Sequence, residues 1–332
     1  MKNKTLIWSS DFSSNTGEGQ LAKTFIKYMF KYNKKINKNK KNFIIKKSLI
    51  NKNKFIHKYI EPTIFAFKSI FLQKKFKNII FCNYLPLWNF LIFLFLPSRT
   101  ILGPITGGIY IGKVRNFKLF IRKYIFPFFY RLSLRIIFLK FNKVIFSTNI
   151  LEQMISKKNI QKCLFNFVLV NLSLPKKQKI KKKYFLIFYN RNHETKKNNS
   201  YLRVINEISF KEKVLVLGNQ IDIENKNIIH KNFIPKKKLI PYLKSCIFTF
   251  ASPENLYSFF SIDAYNSGCL IIHQKNSFKK LTQKSKNFVS LDLLRKINIK
   301  SLKKHNFDYK DENFYSKILK KRKKIINFIS NY

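Results

Sequence analysis

The chain has 332 residues, of which 67 are Lys or Arg and 15 are Asp or Glu, so its formal net charge is +52. Hydrophobic residues make up 45% of the chain, enough to fill two cores, which argues against a globally disordered protein. Nine of the basic residues are arginines. Because nucleic-acid sites favour the planar, bidentate Arg side chain, the charge does not predict a dedicated nucleic-acid-binding protein.

The spacing of the cysteines and the length of the apolar runs indicate the cellular compartment of the protein. None of the four cysteines belongs to a C-x-x-C pair, so the sequence predicts neither a zinc site nor a disulfide framework. Met1–Trp8 lack the apolar stretch of a secretory signal, and no run of 18 apolar residues occurs. We therefore expect a cytoplasmic protein in which the apolar segment Leu85–Pro97 forms a core or interfacial helix.

The first half of the chain alternates predicted strands and helices. A strand is predicted over Thr5–Ser10 and a helix over Gln20–Tyr32, where apolar residues recur at helical spacing. Further short strands are predicted over Ile79–Cys82, Thr100–Leu102 and Val144–Ser147. The aromatic and basic segment Phe117–Lys140 contains Pro127, which is expected to break a helix there.

The second half repeats this alternation after a run of charges. Pro175–Lys183 is basic and has no hydrophobic period, so we interpret it as an interdomain linker. Strands are then predicted over Tyr184–Tyr189, Val214–Leu217, Ile228–His230, Ile247–Phe250, Leu270–Ile272 and Phe288–Leu291. The tail, Glu312–Tyr332, has apolar residues at helical spacing and predicts a basic amphipathic helix.

This alternation predicts the α/β class with mostly parallel sheets. We expect an N-terminal Rossmann-like domain over residues 1–172, a basic linker over 173–183 and a C-terminal Rossmann-like domain over 184–332. The chain has eight glycines, all at junctions of predicted elements. So sparse a use of glycine predicts positions where the backbone takes a positive φ or approaches something closely.

Two glycine-containing segments of the first half are candidate ligand-facing loops. Gly17-Glu18-Gly19 follows the first strand, and its lack of G-x-x-x-x-G-K-[ST] excludes a P-loop ATPase. The segment Gly103-Pro104-Ile105-Thr106-Gly107-Gly108 has three glycines in six residues, so it predicts bare backbone N–H groups that face an anion. A purely structural turn is the alternative for both.

Three cations follow the first strand of the second half. Arg191, Lys196 and Lys197 leave the carboxyl end of that strand, which is the edge where open α/β sheets bind ligands. Cations at such an edge suit a diphosphate. Because the chain is so rich in lysine, Arg191 is the more informative residue, and either Lys alone is compatible with an exposed surface position.

The segment after Ile247–Phe250 contains two of the few acidic residues, Glu254 and Asp263. A helix is predicted to follow, ending at Gly268. A phosphate could accept hydrogen bonds from the backbone N–H groups of Asn255, Leu256, Tyr257 and Ser258. The structural alternative is a capped helix packed on a sheet. Because Asp222-Ile223-Glu224 lacks supporting residues and the histidines show no ligand spacing, we expect no metal site.

In this order, the segments resemble the GT-B glycosyltransferases, especially the retaining family with an E-x7-E motif. Gly103–Gly108 is similar to that family's G-P-[VI]-x-G-G loop, and Arg191 and Lys196 match its Gly-Arg-x4-Lys. The stretch from Glu254 to Gly268 resembles its E-x7-E-A-x-x-x-G pattern. The likeness covers nearly the whole chain.

The chain departs from this family pattern at three places. The segment Asn83-Tyr84-Leu85-Pro86, which follows the strand Ile79–Cys82, lacks the His that lines the sugar site in many relatives. Asn190 stands where the family has the Gly before Arg. Asp263 replaces the second Glu and lies one residue further from Glu254 than in the family, so that Asn255 holds the first Glu position when counted back from Asp263.

The resemblance implies two Rossmann-like domains facing a cleft, with the C-terminal helix crossing back to the first domain. It also implies the transfer of a sugar from a nucleotide-diphosphate sugar to a glycan or lipid-linked acceptor. Such a reaction is expected to be retaining and to need neither a metal nor another cofactor. Cell-surface polysaccharide or lipopolysaccharide synthesis is the expected context.

The resemblance also implies roles for the candidate residues. Arg191 and one of Lys196 and Lys197 would neutralise the donor diphosphate, while Asp263 would bind the ribose and Glu254 the donor sugar. The nucleotide sugar would also contact Gly218 and the backbone of residues 255–258. The acceptor would lie near Gly17–Gly19 and Gly103–Gly108.

Two alternatives stay open beside the transferase. One is a protein of the same fold with altered catalysis that serves as a binding subunit. The other is a basic binder of a membrane surface or of nucleic acid. For the transferase, Phe117–Lys140 is expected to rest on an anionic membrane surface, although an ordinary helical pair with solvated lysines also fits the segment.

Overall fold

A computed structural model of the chain describes residues 4–9, 11–12, 17–33, 36, 43–47, 60–82, 85–107, 114, 116–167, 175, 180–190, 199–251, 258–274, 285–292 and 297–332. The chain divides into two compact units. Unit 1 comprises Met1–Val168 and Lys323–Tyr332, and unit 2 comprises Leu169–Arg322. The expected linker, 173–183, lies mostly outside the described residues, so the boundaries expected from the sequence stay predictions.

Unit 1 is built on parallel strands. They are β1 (Thr5–Ser9), β2 (Phe43–Lys47), β3 (Asn78–Phe81), β4 (Leu85–Pro86), β5 (Ile101–Leu102), β6 (Ile105–Thr106), β7 (Val144–Ile145) and β8 (Cys163–Leu164). The main sheet has the order β2-β1-β3-β5, and β4 pairs with β6 and β7 with β8. A parallel bridge from Ile105 to Phe146 joins these two short pairs. Strands β4, β6, β7 and β8 therefore lie side by side.

Helices cover the sheet of unit 1. They are α1 (Gly17–Tyr32), α2 (Glu61–Leu72), α3 (Phe90–Phe95), α4 (Phe117–Phe120), α5 (Phe126–Lys140) and α6 (Lys157–Ile160). A π-helical turn, Ile121–Ile125, joins α4 to α5. The α-helix is interrupted before Pro127, as expected: the π-helical turn ends at Ile125, and Pro127 lies in the first turn of the new α-helix α5.

Unit 2 contains a six-stranded, fully parallel sheet. Its strands are β9 (Tyr184–Asn190), β10 (Val214–Gly218), β11 (Ile228–Lys231), β12 (Cys246–Phe250), β13 (Leu270–Gln274) and β14 (Phe288–Leu291). Its helices are α7 (Asn199–Ser209), α8 (Lys236–Lys244), α9 (Phe259–Asn266) and α10 (Ile299–Lys303). Side chains on both faces of β9 are fully buried, as Leu186 and Ile187 show, which is why its sequence is a continuous apolar run. The α/β class expected from the sequence is confirmed.

The last helix, α11 (Glu312–Ser330), begins in unit 2 and ends in unit 1. In unit 2, Phe314 packs against Tyr265, with ring centroids 5.0 Å apart. In unit 1, the Asn33 side-chain amide donates to the Ile329 carbonyl over 2.9 Å, and the Leu102 N–H donates to the Tyr332 hydroxyl over 3.0 Å. The expected return of the C-terminal helix to the first domain is therefore confirmed.

The buried cysteines pack in the interior of both units. Cys82, in unit 1, donates from its thiol to the Trp8 carbonyl over 3.3 Å. Cys246 and Cys269 are fully buried in unit 2. Burial raises the pKa of the Cys82 and Cys246 thiols, so these groups are poor nucleophiles at neutral pH.

Candidate functional site

In the sheet of unit 2, the direction in which successive strands are added reverses at one point. Its strand order is β11-β10-β9-β12-β13-β14, so the chain proceeds from β9 toward one edge and then returns to continue from β12 toward the other. The neighbours β9 and β12 are parallel, with Leu186 paired to Phe248. In open α/β sheets, ligands bind beside the carboxyl ends of the strands at such a reversal.

Two segments that contain most of the site residues expected in unit 2 follow these two strands. The expected cations Arg191, Lys196 and Lys197 come directly after β9, which ends at Asn190. The expected residues Glu254, Asn255, Leu256 and Tyr257 come after β12, which ends at Phe250. Both segments lie outside the described residues, so the roles of these side chains stay predictions. The described strands do establish that the two segments start from adjacent strand ends.

The carboxyl ends of β9 and β10 are joined by hydrogen bonds. The Asn190 side-chain amide donates to the carbonyls of Asn219 and Gln220 over 3.0 and 3.1 Å, and the Asn219 N–H donates to the Asn190 carbonyl over 3.0 Å. Gly218 has a φ of +98°, and a Cβ there would lie 2.3 Å from the Asn190 carbonyl oxygen. Asn190, a departure from the family pattern, thus supports the turn that Gly218 makes possible.

The end of β12 is held by the start of α7. The Tyr201 hydroxyl donates to the Ala251 carbonyl over 3.1 Å, and the Tyr201 ring stacks on Phe250 with centroids 4.2 Å apart. Both strand ends at the reversal point are therefore fixed by specific contacts. Fixed strand ends limit the positions from which the following segments can start.

Ser258, an expected phosphate contact, caps α9. Its hydroxyl oxygen accepts the Ser261 N–H over 3.1 Å, and the two hydroxyl oxygens are 2.9 Å apart. This capping interaction satisfies one of the N–H groups that the first turn of a helix leaves without an intrahelical acceptor.

Asp263, the expected ribose ligand, forms an ion pair that the sequence did not predict. It lies within α9 and is 8% exposed, and its carboxylate is 2.7 Å from the ammonium of Lys236, the first residue of α8. Burial raises the pKa of Asp263, while the hydrogen bond and the positive charge of Lys236 act in the opposite direction. Lys236 is one of three consecutive lysines, and the sequence contains no signal that distinguishes it.

Three aromatic rings lie around the same end of the sheet. Tyr189, in β9, stacks on Phe260 of α9 with centroids 5.2 Å apart and contacts Phe233 with centroids 6.1 Å apart. Phe233 is 54% exposed and precedes Lys236 by three residues. None of these rings could be distinguished in the sequence, because aromatic residues are common throughout the chain.

His273, at the carboxyl end of β13, is buried. Its Nδ1 lies 2.8 Å from the Gln274 carbonyl oxygen, and burial lowers its pKa below the ordinary value of 6.5. Across the part of the chain that the structure describes, no group of three His, Cys, Asp or Glu side chains is placed to hold a metal ion.

The expected acceptor residues of unit 1 lie on two different elements. Gly17, Glu18 and Gly19 form the first turn of α1, so the turn expected at these positions belongs to a helix. Thr106 ends β6, Gly107 follows it, and Gly108 is outside the described residues. The anion contact expected at these positions stays a prediction.

Gly103 permits a close approach of two backbone segments, which is one of the two roles that the scarcity of glycine predicts. Its N–H, expected to be bare, donates to the Phe81 carbonyl over 2.7 Å. A Cβ on Gly103 would lie 2.5 Å from the Cα of Cys82. The glycine is therefore required where two strands approach closely, and the expectation of a bare N–H at this position is wrong.

Three polar atoms lie at the carboxyl ends of neighbouring strands in unit 1. Among the described residues, Thr106 Oγ1, Thr148 Oγ1 and Asn166 Oδ1 are buried without a hydrogen-bond partner. Asn166 also has a φ of +60°, and its neighbour Phe167 donates its N–H to the Phe146 carbonyl over 3.2 Å. Buried polar atoms are normally paired, so this edge carries polar groups that packing alone does not explain.

Comparison with known proteins identifies the fold. The sequence matches no protein-family model and no curated protein. Sucrose-phosphate synthase from Thermosynechococcus elongatus is similar in structure, with a TM-score of 0.53 and 8% identity, over 99% of this chain and 92% of that chain. The pneumococcal O-GlcNAc transferase GtfA, in complex with UDP and GlcNAc, is similar with a TM-score of 0.51 and 12% identity, over 80% of this chain and 59% of that chain.

A further similar structure is a TarM mutant from S. aureus in complex with Fondaparinux, α-GlcNAc-glycerol and UDP. It has a TM-score of 0.50 and 15% identity, over 79% of this chain and 58% of that chain. At such low identity these likenesses show the fold alone. The fold is GT-B, as the resemblance in the sequence implied.

Proposed function

We propose that this protein is a glycosyltransferase that transfers a sugar from a nucleotide-diphosphate sugar to a glycan or lipid-linked acceptor. The observation that carries the proposal is the reversal of strand order between β9 and β12. The segments that follow these strands contain the candidate diphosphate cations and Glu254. Proteins of similar fold that carry UDP, such as GtfA and TarM, support a nucleotide sugar as the donor.

The proposed chemistry depends on positioning and charge. Arg191, with Lys196 or Lys197, neutralises the diphosphate as its bond to the sugar breaks. Glu254 orients the sugar hydroxyls, and Asp263 accepts hydrogen bonds from the ribose. The site then stabilises an oxocarbenium-like transition state. Because side chains supply the neutralising charge, we propose a reaction that needs no metal. The resemblance of the sequence to the retaining family supports the further proposal that the anomeric configuration is retained.

The acceptor is proposed to bind unit 1 near Gly17–Gly19 and Thr106–Gly108. Among the described residues, none of the helices is long and apolar enough to cross a membrane. We propose a cytoplasmic protein that attaches peripherally to the inner face of the membrane through Phe117–Lys140. Its product would belong to cell-surface polysaccharide or lipopolysaccharide synthesis.

A catalytically altered binding protein of the same fold is a second candidate. The ion pair between Lys236 and Asp263 favours it, because it engages the carboxylate that is proposed to bind the ribose. Asp263 also departs from the family pattern in residue type and spacing. Nucleotide binding without sugar transfer is what this candidate predicts.

Calorimetry and a turnover assay separate these candidates. UDP, GDP and ADP are titrated into the protein with and without EDTA, and the release of nucleoside diphosphate from the matching sugar nucleotides is measured. The transferase proposal expects metal-independent binding of one nucleotide, together with turnover. Binding without turnover supports the second candidate, and the absence of binding to all three nucleotides contradicts both.

A further inference from the structure

Helix α2 carries apolar side chains on the side that faces solvent. Four of its side chains are exposed: Ile64, Phe67, Lys68 and Phe71, of which only Lys68 is charged. Phe71 is 63% exposed. The opposite side of α2 is buried through Phe65, Ala66 and Ser69. A surface helix of a globular protein normally presents polar residues to water, so the outer side of α2 is the reverse of the usual pattern.

The same inversion continues on α3. This helix has the sequence Phe-Leu-Ile-Phe-Leu-Phe, without a polar residue, and its exposed side chains are Leu91 and Leu94. The Lys140 ammonium donates to the Leu94 carbonyl over 2.7 Å and to the Phe93 carbonyl over 3.2 Å. The end of α3 is therefore held in place with both leucines facing outward.

Aromatic contacts join α2, α3 and α5 into one surface. Phe67 of α2 contacts Phe95 of α3, with centroids 5.5 Å apart. Phe90 of α3 stacks on Phe129 of α5, with centroids 5.9 Å apart. Phe129 in turn contacts Phe128, which is 66% exposed. We call the exposed set the outer apolar face; it consists of Ile64, Phe67, Phe71, Leu91, Leu94 and Phe128.

The charges along the same stretch of chain are almost all positive. Among residues 60–82, 85–107, 114 and 116–140, eleven are Lys or Arg, and Glu61 is the one acidic residue. Lys68, Arg131 and Arg135 are exposed on α2 and α5 themselves. A second copy of the chain docked on this face would bring these cations together, whereas an anionic surface would attract them.

We infer that the outer apolar face inserts into the headgroup region of an anionic lipid bilayer and, through α2 and α3, is the main membrane contact of unit 1. This inference deepens the peripheral attachment proposed above, which rested on Phe117–Lys140 alone. Apolar side chains enter the boundary between headgroups and acyl chains, while the surrounding cations stay with the lipid phosphates. Contiguous exposed apolar surface of this kind marks an interaction site.

Vesicle sedimentation tests the inference. The full chain is mixed with vesicles of phosphatidylcholine alone and with vesicles that also contain phosphatidylglycerol. The double variant Phe67→Ser/Phe71→Ser is expected to lower partitioning onto the anionic vesicles roughly tenfold, since two exposed rings lose their apolar contact. The matched control Phe210→Ser removes a ring that is 67% exposed in unit 2 and is expected to leave partitioning unchanged.

Three further variants keep the test independent of folding defects. Phe67→Trp/Phe71→Trp is expected to bind anionic vesicles at least as well as the original chain, with a blue shift of tryptophan emission. Lys68→Gln/Lys74→Gln/Lys75→Gln is expected to weaken binding in low salt, whereas Lys211→Gln/Lys213→Gln/Lys226→Gln, at exposed positions of unit 2, is not.

The results of these vesicle experiments can overturn the inference, the proposed attachment through Phe117–Lys140, or both. If the Phe67→Ser/Phe71→Ser chain binds vesicles as the original does while charge removal within Phe117–Lys140 abolishes binding, the inference is overturned and the proposed attachment stands. If the original chain binds neither vesicle, both are overturned, and nucleotide binding is unaffected. A dimer that the Phe67→Ser/Phe71→Ser pair disrupts, without vesicle binding, assigns the face to a second copy and overturns the inference.

Discussion

The ammonium of Lys236 lies 2.7 Å from a carboxylate oxygen of Asp263 and joins the first residue of α8 to the interior of α9. The carboxylate is nearly buried, whereas the lysine is about half exposed. This asymmetry means that loss of the lysine leaves a charged group in a poorly hydrated position. Loss of the carboxylate instead leaves a lysine that water can solvate.

We predict that Lys236→Met lowers stability at neutral pH by about 1–2 kcal/mol, because the buried Asp263 carboxylate loses its partner. Since the raised pKa of Asp263 makes the folded state hold more protons than the unfolded state, stability falls as the pH rises above the ordinary value of 3.8. Lys236→Met should steepen this fall. Thermal unfolding at acidic and neutral pH measures it, with Lys237→Met as the control, and equal curves for the two variants would contradict the prediction.

We predict that Gly218→Ala destabilises the protein by more than about 2 kcal/mol, since its φ of +98° and the contact with the Asn190 carbonyl both exclude a Cβ. Gly17→Ala is the matched control, because a Cβ there meets nothing within 4 Å. It is expected to change stability by no more than about 0.5 kcal/mol. Urea unfolding of both variants measures the difference, and similar midpoints would refute the structural role of Gly218.

We predict that Arg191→Ala weakens nucleoside diphosphate binding by about 1.5–3 kcal/mol, which is roughly tenfold to more than a hundredfold in affinity. Lys211→Ala, at an exposed position of unit 2, is the control for bulk charge. Calorimetry with the preferred nucleotide gives both values. Small and equal effects at the two positions would mean that the overall positive charge, and not a site, attracts the nucleotide.

We predict that burial of His273 makes the protein less stable in mild acid. Because the pKa of His273 is lowered below 6.5, the unfolded state binds the proton more readily, and stability is lost as the pH falls through 6.5 toward the folded-state pKa. His273→Gln should flatten this part of the profile, whereas His305→Gln, at an exposed position, should not. Melting temperatures between neutral and mildly acidic pH provide the measurement.

The local pattern of apolar residues was sufficient to predict the strands of the sheet of unit 2. The strand predicted over Val214–Leu217 is β10, Val214–Gly218, and the rare glycine at its end has the positive φ that its scarcity indicated. Such features depend on neighbouring residues and can be recognised in one sequence. The group that Gly103 approaches was harder to predict, because the need for space arises from Cys82, which directly follows β3.

Features that depend on distant residues could not be predicted. The partner of Asp263 is one lysine in a chain full of lysines, and only the packing of α8 beside α9 selects it. The part of the outer apolar face on α2 was also missed, because α2 is apolar on both sides and its sequence alone is typical of a buried helix. The part on α3 lies within Leu85–Pro97, for which an interfacial helix was one of the two expectations. Which side faces water depends on the sheet that covers Phe65 and Ala66.

The rates at which the buried thiols are alkylated can report the unfolding of each unit separately. Cys82 lies in unit 1, and Cys246 and Cys269 lie in unit 2. An alkylating reagent can modify them only when the surrounding interior opens, so the rate at each cysteine reports the local opening of its own unit. Mass spectrometry of the labelled peptides can therefore time the unfolding of the two units in one sample, with the native sequence intact.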